Sequence, residues 1–310
     1  MSSTPQLPAK RSGAVWLFLI GQPVVLAVFA YAAVSGSREF QQAWRVPPMR
    51  ENPLRIGPLY DCPDVVSDGQ LRDALRKLRP RLYGPKTLLA DVDHALRFWG
   101  PEATFDDPQF VSGAELLGLL TDSRRFAELY GSGEPSALYD TPYGVCCRVK
   151  EGLATTSHTD HTLACLGEVG TPLSCPVVTP NRETTIRAML EQALHDFNPC
   201  QTEYEWSAKI FALFLPPTTR WRSAEGQMLS FDLLADRIMR EELPHGVCAG
   251  THRLFTLTAY LRLDEEHRIL SPGMRGRIEQ FLQDANKHLV ANQHPDGFWN
   301  GDLPVAPPTS

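Results

Sequence analysis

The sequence lacks a basic excess. With 30 Lys and Arg against 36 Asp and Glu, its formal net charge is −6, which argues against a nucleic-acid partner, since that needs a positive footprint. No long run of like charge marks an interaction tail. No C-x-x-C pair and no H-E-x-x-H occurs, so the common sequence forms of a structural zinc site or a zinc protease are missing. No short period repeats cleanly, which disfavours a regular solenoid. Apolar residues are plentiful, at 43% of 310, enough for a sizeable core.

Charge is also missing from Ala14 to Val34, a stretch of 21 residues preceded by Lys10 and Arg11 and followed by Arg38 and Glu39. That length matches the ~20 residues a helix needs to cross a bilayer core. Trp16 and Tyr31 sit near its ends, where amphipathic rings favour the interface. The expectation is a membrane-anchored, single-pass protein: 1–13 cytoplasmic, 14–34 spanning, the remainder outside the cytosol. The competing reading is a cleaved signal peptide, for which Ala30-Tyr31-Ala32 has the small-x-small pattern. Residues 35–65 hold Pro47, Pro48, Pro53, Pro58 and Pro63 and read as a semi-stiff linker.

There are seven cysteines. An odd count leaves at least one unpaired within the chain, and most read as small buried hydrophobes.

From 66 to 303, helical periods alternate with turn signals. "GQLRDALRKLRP" carries Leu71, Leu75 and Leu78 on one face, and Pro80 stops it. "PKTLLADVDHALRFWG" places Leu89, Val92, Leu96 and Trp99 on one face and ends at Gly100. "YGVCCRVK" reads as a short strand. Asn181 is a plausible N-cap for "NRETTIRAMLEQALHDF". About ten helices are expected, with almost no strand. The fold class is therefore all-α, with helix pairs in a ring or stack and a tail at 304–310.

The chain ends in "NQHPDGFWNGDL". Pro295-Asp296-Gly297 is a turn in which Pro fixes φ and Gly takes φ > 0. Gln293 and Trp299 are placed to fold back on the preceding helix as a clasp. The spacing Gln293-x-x-x-Gly297-x-Trp299 resembles the QW motif of squalene cyclases, with variants across α/α-toroid proteins such as terpenoid cyclases, protein prenyltransferases and thioester domains. The resemblance implies a toroid over 66–303 and a structural role for the clasp. It brings no catalytic motif. The acidic D-x-D-D motif has only Asp91-Val-Asp-His94 as its nearest match, and a solvated helix face is the plainer reading there. The thioester C-x-E-Q is absent. Segments such as "HTDHTLACLGEVGTPL" also resemble uncharacterised bacterial membrane-anchored proteins.

Three constellations can carry chemistry. His158, His161, Cys165 and Glu168 share a helix face, and His158 with His161 can hold a divalent metal, with Asp160 orienting or ligating. The plainer reading is a helix cap by Ser157 or Thr159. Cys248, His252 and Arg253 open an apolar helix, where the N-terminus favours a thiolate or an anion. The plainer reading there is close packing at Ala249 and Gly250. Glu203 and Glu205 beside Trp206 offer carboxylates that a glycosidase-type reaction could pair with Asp160; a cap and a solvated face are the alternative. The function expected is an enzyme on a lipid-linked or glycan substrate. The rival is a non-catalytic envelope scaffold or binding module.

Overall fold

The computed structural model describes residues 22–32, 45–57, 66–149, 152–201, 203–217, 219–240 and 250–300. Residues 1–45 and 46–310 form separate units. In the first, 22–32 are helical (α1). Most of the expected spanning segment lies outside the described residues. The described part is about 16 Å of helix at ~1.5 Å per residue, half of a ~30 Å hydrocarbon core. Among the described residues no helix is long and apolar enough to cross a membrane. This corrects the expected single-pass anchor, and with it the membrane as partner and the extracytoplasmic placement.

The second unit is helix-rich: α2 (Asp68–Lys77), α3 (Leu89–Trp99), α4 (Gly113–Thr121), α5 (Ser123–Tyr130), α6 (His161–Glu168), α7 (Ile186–Asp196), α8 (Glu205–Phe214), α9 (Phe231–Arg240), α10 (Thr251–His267) and α11 (Pro272–Ala291). It is not all-α. Three two-stranded antiparallel sheets interrupt the helices. These are β1 (Leu138–Thr141) with β2 (Gly144–Cys147), β3 (Pro176–Val178) with β4 (Glu183–Thr185), and β5 (Trp221–Arg222) with β6 (Met228–Leu229). Only β2 was legible as a strand. The others are two to four residues long, too short for a clear two-residue period, and packing supplies their stability. Asn181 does not cap α7. Thr185 holds the N-cap position, without a side-chain cap bond, and the Asn181 amide donates to Asp140 Oδ2 at 3.0 Å.

Helix α8 is the centre of the packing. Its ten residues, EWSAKIFALF, are all buried, as a helix enclosed on every face must be. α6, α9 and α10 pack against it, and α3 packs on α6. The contact with α6 needs Gly167, where a Cβ would lie 2.4 Å from Ile210 Cδ1. Side chains of α10 serve α8's backbone: Tyr260 Oη donates to Ala208 O at 3.0 Å and Thr256 Oγ1 to Glu205 O at 3.2 Å. The last carbonyls of a helix lack partners within it. Here Arg50 N and Leu54 N donate to Phe214 O and Leu213 O, each at 2.8 Å. The described part of the Pro-rich stretch, 46–57, is thus docked on the domain rather than spanning open space. Pro216 and Pro217 follow and cannot continue the helix.

The terminal clasp forms. Trp299 Nε1 donates to Leu289 O at 2.8 Å, Gln293 Nε2 to Gly297 O at 3.0 Å, and Gly297 takes φ 88°. Helix α2 departs from its sequence reading: its apolar face is left unburied, with Leu71 and Leu78 exposed.

Candidate functional site

The segment 158–161 leads into α6 and carries three of the predicted residues. Asp160 is the cap, in the left-handed region at φ 57°, without a side-chain cap bond. Neither Ser157 nor Thr159 caps the helix. A non-glycine residue in this region is strained, and such strain clusters at functional sites. The reversal turns adjacent side chains to opposite sides. His158 and His161 lie against His252 of α10 and Trp206 of α8, while Asp160, bonded to Ser207 of α8, lines a pocket beside α7.

On the first side four imidazoles meet. His158 is buried and its Nδ1 lies 2.8 Å from Glu203 Oε2. Glu203 also has a left-handed backbone, at φ 58°. The His158 ring lies 5.8 Å from that of His161 and 4.6 Å from that of His252, edge-on in both cases. His161 is fully buried against Trp206 and His94, with ring centroids 4.5 and 5.0 Å away. The 158–161 and 250–253 segments are thus brought together. Burial, helped by the neighbouring His158, pushes His252 down to about 4, so its imidazole is neutral at neutral pH. Burial also lowers His161, against the opposing effect of Asp93, whose Oδ2 lies 3.3 Å from its Nδ1. Arg253 is buried on α10. Cys248 lies outside the described residues.

The expected metal face does not assemble. Cys165 Sγ donates to Asp93 O at 3.1 Å, and Glu168 Oε2 is taken by Arg97 Nε at 2.9 Å and Lys209 Nζ at 2.7 Å. Among the described residues no group of three or more His, Cys, Asp or Glu is placed to hold a metal ion.

Two members of this cluster escaped the sequence reading. Asp93 was placed on a solvated face; it is fully buried and accepts from Thr162 Oγ1 at 2.9 Å. Lys209 is the lone cation of α8, with its ammonium 4.1 Å from the Trp206 ring centroid and 4.3 Å from that of Phe255. Burial pulls its pKa down to about 7 against the pull of Glu168. A charge inside an otherwise apolar run closed by Pro-Pro was the available signal.

On the other side of the turn lies a pocket of about 240 Å³, walled by β1–β2, the entry to α6, and α7. The hairpin sits tightly on α7 because position 144 is glycine: a Cβ there would lie 1.9 Å from Ala188 O. Asp160, Thr159, Tyr139, Cys146, Gln192 and Asp196 bring polar groups into the pocket. Burial raises Asp160 to about 6, Ser207 Oγ donates to its Oδ2 and opposes the rise, and the Asp196 charge adds to it. Gln192 receives from Thr141 Oγ1 and donates to Asp196 Oδ2, which fixes that carboxylate. The thiol of Cys146 is pushed up to about 11 by burial and Cys147 well above its usual value. Neither is a thiolate at neutral pH, so neither is an activated nucleophile. The five described cysteines, these two with Cys165, Cys175 and Cys200, are all free.

Asp160 therefore belongs to a different face from Glu203, whose side chain is engaged by His158. The carboxylate that shares a pocket with Asp160 is Asp196, at the end of α7. Glu205 is buried in α8.

No protein-family model, no curated protein and no solved structure matches the chain.

Proposed function

We propose that the chain is an enzyme using carboxylate acid–base chemistry on a small, neutral, hydroxyl-rich substrate, a glycoside being the class that fits. One observation carries this reading: Asp160, raised to about 6, opens onto the same pocket as Asp196. Two carboxylates whose surroundings separate their roles are what acetal cleavage requires. Asp160 is half-protonated at about pH 6, where an ordinary carboxyl has already lost its proton, and it delivers that proton to the leaving oxygen. Asp196, oriented by Gln192, is the carboxylate that receives charge or activates water. Amide and hydroxyl groups of Gln192, Gln201, Thr159 and Tyr139 match sugar hydroxyls in kind.

The test is a panel of aryl glycosides given to the wild-type chain and to Asp160→Asn and Asp196→Asn. General acid catalysis contributes roughly 10²–10⁴-fold, so a loss of at least about 100-fold in kcat is expected for Asp160→Asn with its fold intact. Absence of turnover by the wild type across the panel, or equal turnover by the variants, contradicts the reading.

A second reading, a non-catalytic binding module, draws on the exposed Phe298 and Trp299 of the clasp. Exposed aromatics of this kind mark interaction surfaces. It is favoured if Trp299→Ala abolishes co-purification of a partner while every glycoside is left intact.

A further inference from the structure

A second cavity, of about 650 Å³, runs between the chain leaving α2 and one side of α3. It shares no lining residue with the Asp160 pocket. Its size falls in the range of small-molecule sites. Its walls are mainly apolar, with Leu78, Leu82, Val92, Phe98 and Trp99 among them. The polar groups that enter it are mostly cationic, Lys77, Arg79, Arg81 and Arg97, joined by the His94 imidazole and by Asp91, the one carboxylate among the described lining residues. This stands out in a chain of net charge −6.

Three of these cations are uncommitted. Arg97 is engaged by Glu168, but among the described residues Lys77, Arg79 and Arg81 make no ion pair. An acid outside the cavity, Asp107, feels both arginines. Hydrogen bonds from Gln109, then the charges of Arg81 and Arg79, hold its carboxyl below the usual range. The two arginines are pre-positioned by aromatic faces. The Arg79 guanidinium lies 5.2 Å from the Phe110 centroid and that of Arg81 4.7 Å from the same ring. Stacking of this kind fixes the guanidinium plane while leaving its N–H edge free for an oxyanion. Trp99 is fixed as a wall by its Nε1 bond to Leu78 O at 3.0 Å. An apolar body lying along Phe98 and Leu78 would cover side chains that are otherwise exposed.

We infer that this groove binds an anionic amphiphile: a carboxylate or phosphate monoester held by Arg79 and Arg81, carrying an acyl or aromatic body that lies along Leu78, Phe98 and Trp99. The site is independent of the Asp160 pocket, so its ligand need not be a substrate of that pocket.

Titration calorimetry of the full chain, backed by Trp fluorescence, tests this with four probes below their micelle thresholds: laurate, dodecyl phosphate, dodecanol and inorganic phosphate. Laurate, dodecyl phosphate or both should bind with one-to-one stoichiometry, their ratio stating which headgroup is preferred. Dodecanol and inorganic phosphate should bind at least about ten-fold more weakly, as loss of one charge-assisted pair or of the buried chain requires. Arg79→Gln, at a half-buried position, and Arg81→Gln, at an exposed one, should each weaken the anion about ten-fold, the exposed variant with an unchanged melting temperature. Asp160→Asn should leave binding intact. The inference is overturned if neither anionic amphiphile binds saturably, if dodecanol or inorganic phosphate matches them, or if Arg79→Gln/Arg81→Gln binds like the wild type.

Discussion

Asp160 concentrates several constraints in one residue: a left-handed backbone at the head of α6, a bond from Ser207, and a carboxyl raised to about 6. Because the folded value lies above the ordinary 3.8, folding favours the protonated form. That stabilisation is complete below about pH 4 and is lost as pH rises from about 4 through about 6. Asp160→Asn keeps an acceptor for Ser207 and has no proton to lose. Its stability relative to the wild type should therefore rise between pH 4 and pH 7, by roughly 1–2 kcal/mol once partial solvent access is allowed for. Urea unfolding at the two pH values reads this directly, and a pH-independent difference would contradict the assignment. Lys209 gives the opposite limb. A folded value of about 7 against an ordinary 10.5 means that the unfolded chain binds the proton first, so stability is lost as pH falls from about 10 to about 7. Lys209→Met, which leaves Arg97 on Glu168, should gain stability over that interval. At this scale the sequence was informative about residue type and much less about orientation. His158, His161, Glu203 and His252 were all legible as polar groups and do meet. Asp93 and Lys209 were not, because a helix face is solvated or buried according to what packs on it, and that neighbour is distant in the chain.

At the scale of elements, α8 and the β1–β2 hairpin position both faces of the 158–161 turn. The long apolar run of α8 and its Pro-Pro stop were readable, as were the ends of α3 at Gly100 and of α11 at the clasp. β3–β4 and β5–β6 were not, since strands this short have almost no period of their own. Gly144→Ala forces a methyl group into the Ala188 carbonyl. It should cost about 2–3 kcal/mol and open the pocket wall, lowering turnover as well as melting temperature. A variant as stable as the wild type would show that the hairpin is free to shift. By contrast, Trp299→Ala removes one bond and a half-exposed ring at a chain end. It should cost about 1 kcal/mol or less, with faster amide exchange confined to the last turn of α11. Global unfolding by this variant would give the clasp a larger role than its exposure supports.

For the whole molecule, hydropathy and composition pointed to an anchor and a linker. The described chain instead shows residues 46–57 bonded to the end of α8 and no described helix able to cross a membrane. Pro content alone does not distinguish a spacer from an extended segment docked on a domain, because both need a chain that avoids helix. The account that remains is a helix-rich unit built around α8, with a carboxylate pocket on one side of the 158–161 turn and a histidine cluster on the other. Its central claim is that Asp160 acts as the proton donor. The most direct measurement is the pH dependence of kcat/KM, from pH 4 to 8, on whichever aryl glycoside the wild-type chain turns over. The account predicts a rate that falls as pH rises through about 6, and an Asp160→Asn variant that has lost at least about 100-fold in rate together with that limb. A profile flat across pH 6, or one that persists unchanged in Asp160→Asn, would contradict it.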